Sequence, residues 1–420
     1  MNIQVELFDT SLSLISIPLA CYPQFCQGIL RLALGTWKAE LRKQKERDDE
    51  LRNGSGSWTG LQNDGFSTPP SPSVSESNAQ KRLSLHHVED NSNVSTPISS
   101  LPPSQDIEEL CDLLEDFINI SFTPIECSVI CPTQLVKLLF GDTLSSVGKP
   151  LNVQVIKDEY VAIKVDCDGQ DTGSSVLTIS YPLSSAGIPI FFIATYFSDY
   201  VLVPVRERHR VIKTLESQNF IFSDISNSYI SISDESSPAL KAYGENTTVD
   251  SSSEDSKNSL KEKTLELFQT YNVAPLVDAS TKLLLTGARA GVLAKGNRES
   301  NDVYLSIVRI LLSPPNFFSL TIISGSEISF LVDSDTASLF PSHLLLGSPT
   351  DFVQPVSFDL RKLPEDSTGI VSGLASIFSD SAQETEMVHI RYLSTALTSV
   401  VLVSEDDFEN AQKSLERANP

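Results

Sequence analysis

The chain has 420 residues and a mass of 45.9 kDa, 40% of it apolar, which is enough for two to four domains with cores of their own. Its 54 acidic and 31 basic side chains leave a net charge of −23. A charge of that sign repels phosphate backbones and anionic membrane unless a basic patch overrides it. The most basic stretch, residues 38–52, carries six positive and five negative side chains and is nearly neutral, so no nucleic-acid partner is expected.

No run of about 18 apolar residues is present, so no membrane insertion is expected. The apolar stretch at 12–20 follows Glu6 and Asp9 and no basic residue, the opposite polarity from a secretory signal. All six cysteines lie within the first 167 residues and none forms a C-x-x-C pair. Neither a disulfide framework nor a zinc site is indicated, and a reduced, cytosolic protein without metal or cofactor is the expectation.

In chain order, residues 3–17 are strand-like, 24–34 helical, and the charged run 38–52 prolongs that helix. Residues 53–104 are rich in Ser, Pro, Gly and Asn, bury too little to offset chain entropy, and read as a disordered insertion within a first domain. Thr68-Pro69, Ser71-Pro72, Thr96-Pro97 and Lys81-Arg82-Leu83-Ser84 in it look like kinase sites. Strands follow at 117–122 and 126–131, then helices at 132–140 and 174–186. Residues 223–262 hold 12 serines, eight acidic residues and three lysines, and read as an acidic linker. Beyond it come a strand at 283–285, a helix at 301–312, a hairpin at 317–324 and 327–333, and a helix at 369–380.

The chain also repeats itself. Residues 188–203 align without gaps on 388–403, with Ile190/Ile390, Thr195/Thr395 and Val201-Leu202-Val203/Val401-Leu402-Val403 identical; Lys213/Lys413 and Leu215/Leu415 continue the match. Each copy reads as helix, strand, tight turn, strand, helix, the centre of a βαββαβ unit. The same order recurs more faintly before each copy. Setting both polar stretches aside leaves 328 residues, about 82 for each of four units. The predicted fold is therefore α+β: four ferredoxin-like modules in two pairs, at 1–150, 151–222, 263–345 and 346–420, with the linker at 223–262. Each antiparallel sheet is expected to leave one face for a neighbouring module.

Catalytic signatures are missing. There is no phosphate-binding G-x-x-x-x-G-K-[ST], no G-x-G-x-x-G and no G-x-S-x-G, and the five histidines are scattered, so the chain is not expected to be an enzyme. Polar groups at the repeated turns remain. Thr195 and Thr395 either touch a ligand or merely cap their hairpins, and Tyr196 and Asp199 are expected to be exposed at a hairpin tip suited to a protein partner.

Residues 187–203 resemble the second ACT domain of the CASTOR family, cytosolic arginine sensors of the TOR growth-control pathway. Gly369-Ile370-Val371, Leu393-Ser394-Thr395 and residues 401–407 are similar to the family's fourth ACT domain, and residues 338–345 to the stretch before it, as in a divergent, fungal-type member. The resemblance implies four ACT domains, a homodimer, and free arginine held between the second and fourth domains. Without arginine, the family binds a GATOR complex. Ligand-lining positions implied by the match are Thr178, Ile179, Ser367, Gly369, Thr395, Ala396 and Ser399; partner contacts are Tyr196, Phe197 and Asp199. Ser367 and Ser399 stand where the family has acidic groups for the guanidinium, so either Asp366 or Glu365 is the substitute carboxylate, or else the ligand is another amino acid or none. The competing readings are a ligand-free interaction scaffold and a regulatory subunit of an amino-acid biosynthetic enzyme.

Overall fold

Short runs of β-branched and aromatic residues, buried on both faces, build the first half of the chain. Strands β1 (Ile3–Leu7) and β2 (Leu12–Pro18) lead into helix α1 (Tyr22–Ala33), which buries Tyr22, Phe25, Ile29 and Leu32 along one stripe. After β3 (Phe117–Phe122) and β4 (Glu126–Pro132) come α2 (Thr133–Ser146) and the two-residue β5 (Gln154–Val155). A second unit comprises β6 (Tyr160–Asp166), α3 (Thr172–Ser185), β7 (Phe191–Ala194), β8 (Asp199–Pro204), α4 (Arg208–Ser217) and β9 (Phe220–Phe222). The computed structural model describes residues 3–36, 38, 117–146, 152–166, 172–223, 254–288, 298–323, 327–364, 367–379 and 388–418. The insertion expected at 53–104, its kinase motifs, Glu365 and Asp366 lie outside the described residues.

The second half follows the same plan. Helix α5 (Glu254–Tyr271) precedes β10 (Pro275–Val277), β11 (Leu283–Gly287), α6 (Arg298–Leu312), β12 (Phe318–Ile323), β13 (Glu327–Asp333) and the single turn α7 (Ser334–Ala337). A fourth unit holds β14 (Phe352–Asp359), α8 (Ile370–Ser379), β15 (Ile390–Ser394), β16 (Thr398–Ser404) and α9 (Phe408–Ala418). The stretch read as linker ends earlier than expected, because α5 begins at Glu254. Its polar surface masks the stripe that buries Phe268 against Phe358, with ring centroids 5.5 Å apart.

Strand order explains the units. The first runs β5-β2-β4-β3, the order of a split βαβ fold, and its last strand is barely formed. In the second, β7-β8-β6 is completed by β1 from the chain's start, which pairs antiparallel with β6 and is flanked by β9. The second half repeats this exchange: β10 precedes β11 in sequence but pairs with β14 of the fourth unit.

Modules in two pairs, each sheet leaving one face for a neighbour, were the expectation; the sheets also join edge to edge. β3 zips to β12 over six consecutive pairs, β7 meets β15, β11 meets β14, and Leu12 opposite Tyr160 joins β2 to β6, so the strands close into a ring. The pleat then has an enclosed face and a helix-covered face. Phe117, Tyr200, Leu202, Leu331, Leu393 and Leu402 cluster on the enclosed side, whereas Val201, Val203, Val401 and Val403 pack under the helices. The enclosed side holds a void of about 10 Å³ among Ala194, Leu285, Ser319, Thr321, Ser329, Leu331, Leu393 and Leu402. At the β3–β12 seam it is polar and internally satisfied: Asn119 Nδ2 donates to Ser319 Oγ at 3.1 Å and Thr321 Oγ1 at 3.0 Å, and Ser121 Oγ donates to Asn119 Oδ1 at 2.8 Å.

Candidate functional site: the hairpin tips and the junction of the second and fourth units

The threonine repeated at the two turns performs one local task. Thr195 N donates to Ser198 O at 3.2 Å, and Ser198 N donates back to Thr195 Oγ1 at 3.1 Å. Thr395 N donates to Thr398 O at 2.9 Å, and Thr398 N to Thr395 Oγ1 at 3.1 Å. Thr123 closes the first unit's hairpin alike, its amide on Glu126 O at 2.9 Å and Glu126 N on its Oγ1 at 3.3 Å. A threonine here satisfies the turn from both ends, so hairpin capping accounts for its recurrence.

Beyond the caps, the tips interlock. Ala396 N reaches Ser128 Oγ in β4 at 3.3 Å, and Tyr196 N reaches Ser329 Oγ in β13 at 2.8 Å. The fourth unit's tip thus docks on the first unit, and the second unit's tip on the third, by the same bond.

What fills each dock differs. Under the fourth unit's tip lies Glu126, 1% exposed, whose Oε1 accepts from Thr395 Oγ1 at 2.7 Å and Leu397 N at 2.6 Å while Oε2 accepts from Ser16 Oγ at 2.5 Å. Burial pushes this carboxyl above the ordinary range, against the pull of those three donors. Glu327 occupies the matching position at the other dock and faces Lys164 at 3.6 Å. There the Phe197 and Tyr196 rings lie so close to Gly287 that a Cβ would come within 2.7 Å of the first and 2.9 Å of the second.

These contacts correct the expected exposure of Tyr196 and Asp199 at the tip. Tyr196 is half-buried, with its ring against Gly347 and its amide bonded to Ser329; Asp199 is half-buried at the start of β8, opposite Val165 and Ala194. Phe197 is the exposed one, at 37%.

The second and fourth units meet where α3 packs on α8 and β15. The expected ligand positions divide here. Ile179 is buried and Thr178 exposed on α3, while Gly369 adopts φ +83° just before α8. Ser367 Oγ donates to Pro364 O at 2.8 Å. Ser399 is buried and accepts from Tyr392 Oη at 2.8 Å, and Thr395 and Ala396 are engaged with the first unit. The structure therefore packs α3 on α8, turns Gly369 and Gly373 at the start of α8 toward α5, and sends Thr395 and Ala396 into the dock. Three hydroxyls that the sequence did not single out sit on the packed helices: Ser180 and Ser184 on α3 and Ser372 on α8 are buried and have no hydrogen-bond partner among the described residues. Such groups call for a polar occupant or neighbour.

The β7–β15 seam, like the β2–β6 seam, is held by a single ladder pair. In the former that pair is Leu393 opposite Ile193, and Phe192 N donates to the Ser394 side chain at 2.9 Å. Among the described residues no group of three or more His, Cys, Asp or Glu is arranged to hold a metal ion, and no helix is long and apolar enough to cross a membrane.

Residues 155–217, from β5 to the end of α4, match the family model of the ACT domain. The second unit is thus similar to an ACT domain. No curated protein matches the chain. Among solved structures, protein Atu0741 from Agrobacterium tumefaciens aligns at 17% identity and a TM-score of 0.20, over 26% of this chain and 87% of that one. Aspartate kinase from Synechocystis aligns at 11% identity and a TM-score of 0.27, over 99% of this chain and 56% of the kinase.

Proposed function

We propose that the protein is a non-catalytic regulator made of four ACT modules that binds a free amino acid between its second and fourth units. The observation that carries the reading is the trio of buried hydroxyls, Ser180, Ser184 and Ser372, without a partner among the described residues, on the helices joining an ACT-like unit to its internal copy. Helices α3 and α8 contain no charged side chain, so a ligand with an uncharged side chain suits the junction better than arginine, whose guanidinium needs a carboxylate.

The CASTOR resemblance supports a finer form of this proposal: a cytosolic sensor, dimeric like that family, whose ligand shifts its affinity for a GATOR-type complex of the TOR pathway. The interlocked tips and closed ring favour a second reading, a rigid scaffold without a ligand. Thermal unfolding in the presence of each of the twenty amino acids separates the two, since a ligand of the native state raises apparent stability. A rise with an uncharged amino acid, lost in Ser372→Val, supports the sensor. No rise with any amino acid leaves the scaffold.

A further inference from the structure

The exchange of strands in the two halves is unequal at one edge. In the first half, β9 (Phe220-Ile221-Phe222) lies parallel on β1 with Phe222 opposite Val5 and Phe220 opposite Ile3; both phenylalanines are buried. In the second half, β10 holds the place of β1. Val5 opposes Val165 and Pro275 opposes Phe358, two positions made equivalent by their own partners Asp199 and Ser399 on the hairpins. Among the described residues nothing pairs with the outer edge of β10, and Leu276 and Val277 are 56% and 39% exposed. Where the two phenylalanines of β9 would project there is instead a cavity of about 270 Å³, walled by Phe268, Val273, Pro275, Phe358, Leu415 and Ala418 among others. Leu415 is the repeat partner of Leu215 on α4, the helix that packs on β9 in the first half.

We propose that this edge takes an extended peptide from a partner protein, of pattern Phe-x-Phe, that adds parallel to β10 and sets its aromatic side chains into the cavity. The occupant's chemistry is read from the molecule's own first half, where that tripeptide sits on the equivalent edge. Backbone hydrogen bonds to the open strand supply affinity, and the apolar cavity selects alternate side chains. The proposal is independent of the amino-acid reading, since β10 lies at the opposite edge of the fourth unit's sheet from β15, where that unit meets the second, and Ile377 is the one α8 side chain in the cavity wall.

A labelled peptide Asn-Phe-Ile-Phe-Ser, the chain's residues 219–223, titrated into the full-length protein tests it by fluorescence anisotropy. The expected result is saturable binding, slowed hydrogen exchange at the Leu276 and Val277 amides, and about tenfold weaker binding for the peptide with both Phe replaced by Ser. Ala418→Trp, which fills the cavity, is expected to weaken binding similarly. Equal binding of the two peptides, or none, overturns the proposal. So does a concentration-dependent dimer that Ala418→Trp abolishes, because the edge would then belong to a second copy of the chain.

Discussion

The hydroxyl of Thr395 donates to a buried carboxylate oxygen of Glu126, joining residues 269 positions apart across the dock of the fourth unit on the first. Removing the carboxylate strands Ser16 Oγ and Leu397 N without their acceptor and leaves Thr395 Oγ1 only Thr398 O, at 3.1 Å. Glu126→Ala is therefore expected to lose about 2 kcal/mol or more of stability, measured by urea unfolding, and Glu126→Gln less, since its amide oxygen still accepts from Leu397. The pH dependence has a definite sign. Burial holds this carboxyl's pKa above its ordinary value, so the native state keeps the proton to higher pH than the unfolded chain does. The group's contribution is full below the unfolded pKa and is lost as pH rises through the folded one. In Glu126→Gln that fall is expected to vanish; an unchanged pH profile refutes it.

The repeated hairpins were legible in the sequence because period-2 runs and a threonine at a fixed place in the turn are local signals. The missing fourth strands were not. β5, β9 and β10 are two or three residues long, and β1 and β10 pair with units other than those that follow them. No periodicity is visible in three residues, and exchange is decided by tertiary pairing. Glu126 reads in sequence as an ordinary polar start to a strand; its burial depends on a tip from the far end of the chain. Ser180 and Ser372 likewise look like average helix surface until α3 and α8 are laid together.

The two capping threonines differ in what lies beyond the cap. Thr195 serves its own turn, whereas Thr395 also reaches Glu126. Thr195→Val is expected to cost about 1 kcal/mol and Thr395→Val about twice that. A double-mutant cycle of Thr395→Val with Glu126→Gln should show coupling, and the same cycle with Thr195→Val none. Equal costs at both threonines would place the Glu126 bond outside the folding energetics.

Cys127 and Cys131 lie wholly inside β4, and burial drives both thiols upward, Cys131 to about 12. At pH 8 about one Cys131 in ten thousand would be thiolate, even with access. Iodoacetamide is expected to leave both unmodified in the folded protein and to alkylate them after guanidinium unfolding, read by peptide mass spectrometry. Native labelling of Cys131 would mean that the β2–β4 region opens readily.

Helix α5 rests on α8 at a point where one side chain alone has room. A Cβ at Gly373 would lie 1.9 Å from Thr264 Oγ1 and 2.5 Å from Thr264 Cβ, closer than atoms can approach. Gly373→Ala adds helix propensity, worth about 1 kcal/mol in an open helix, yet here it must push α5 away and loosen Phe268 from Phe358. The clash is expected to win, with a net loss of about 1 to 3 kcal/mol. Thr264→Gly removes the obstructing side chain, so in that background Gly373→Ala should become neutral or stabilising. If Gly373→Ala stabilises the wild-type chain as well, α5 does not sit on α8 at that distance, and the cavity bounded by Phe268 loses its wall.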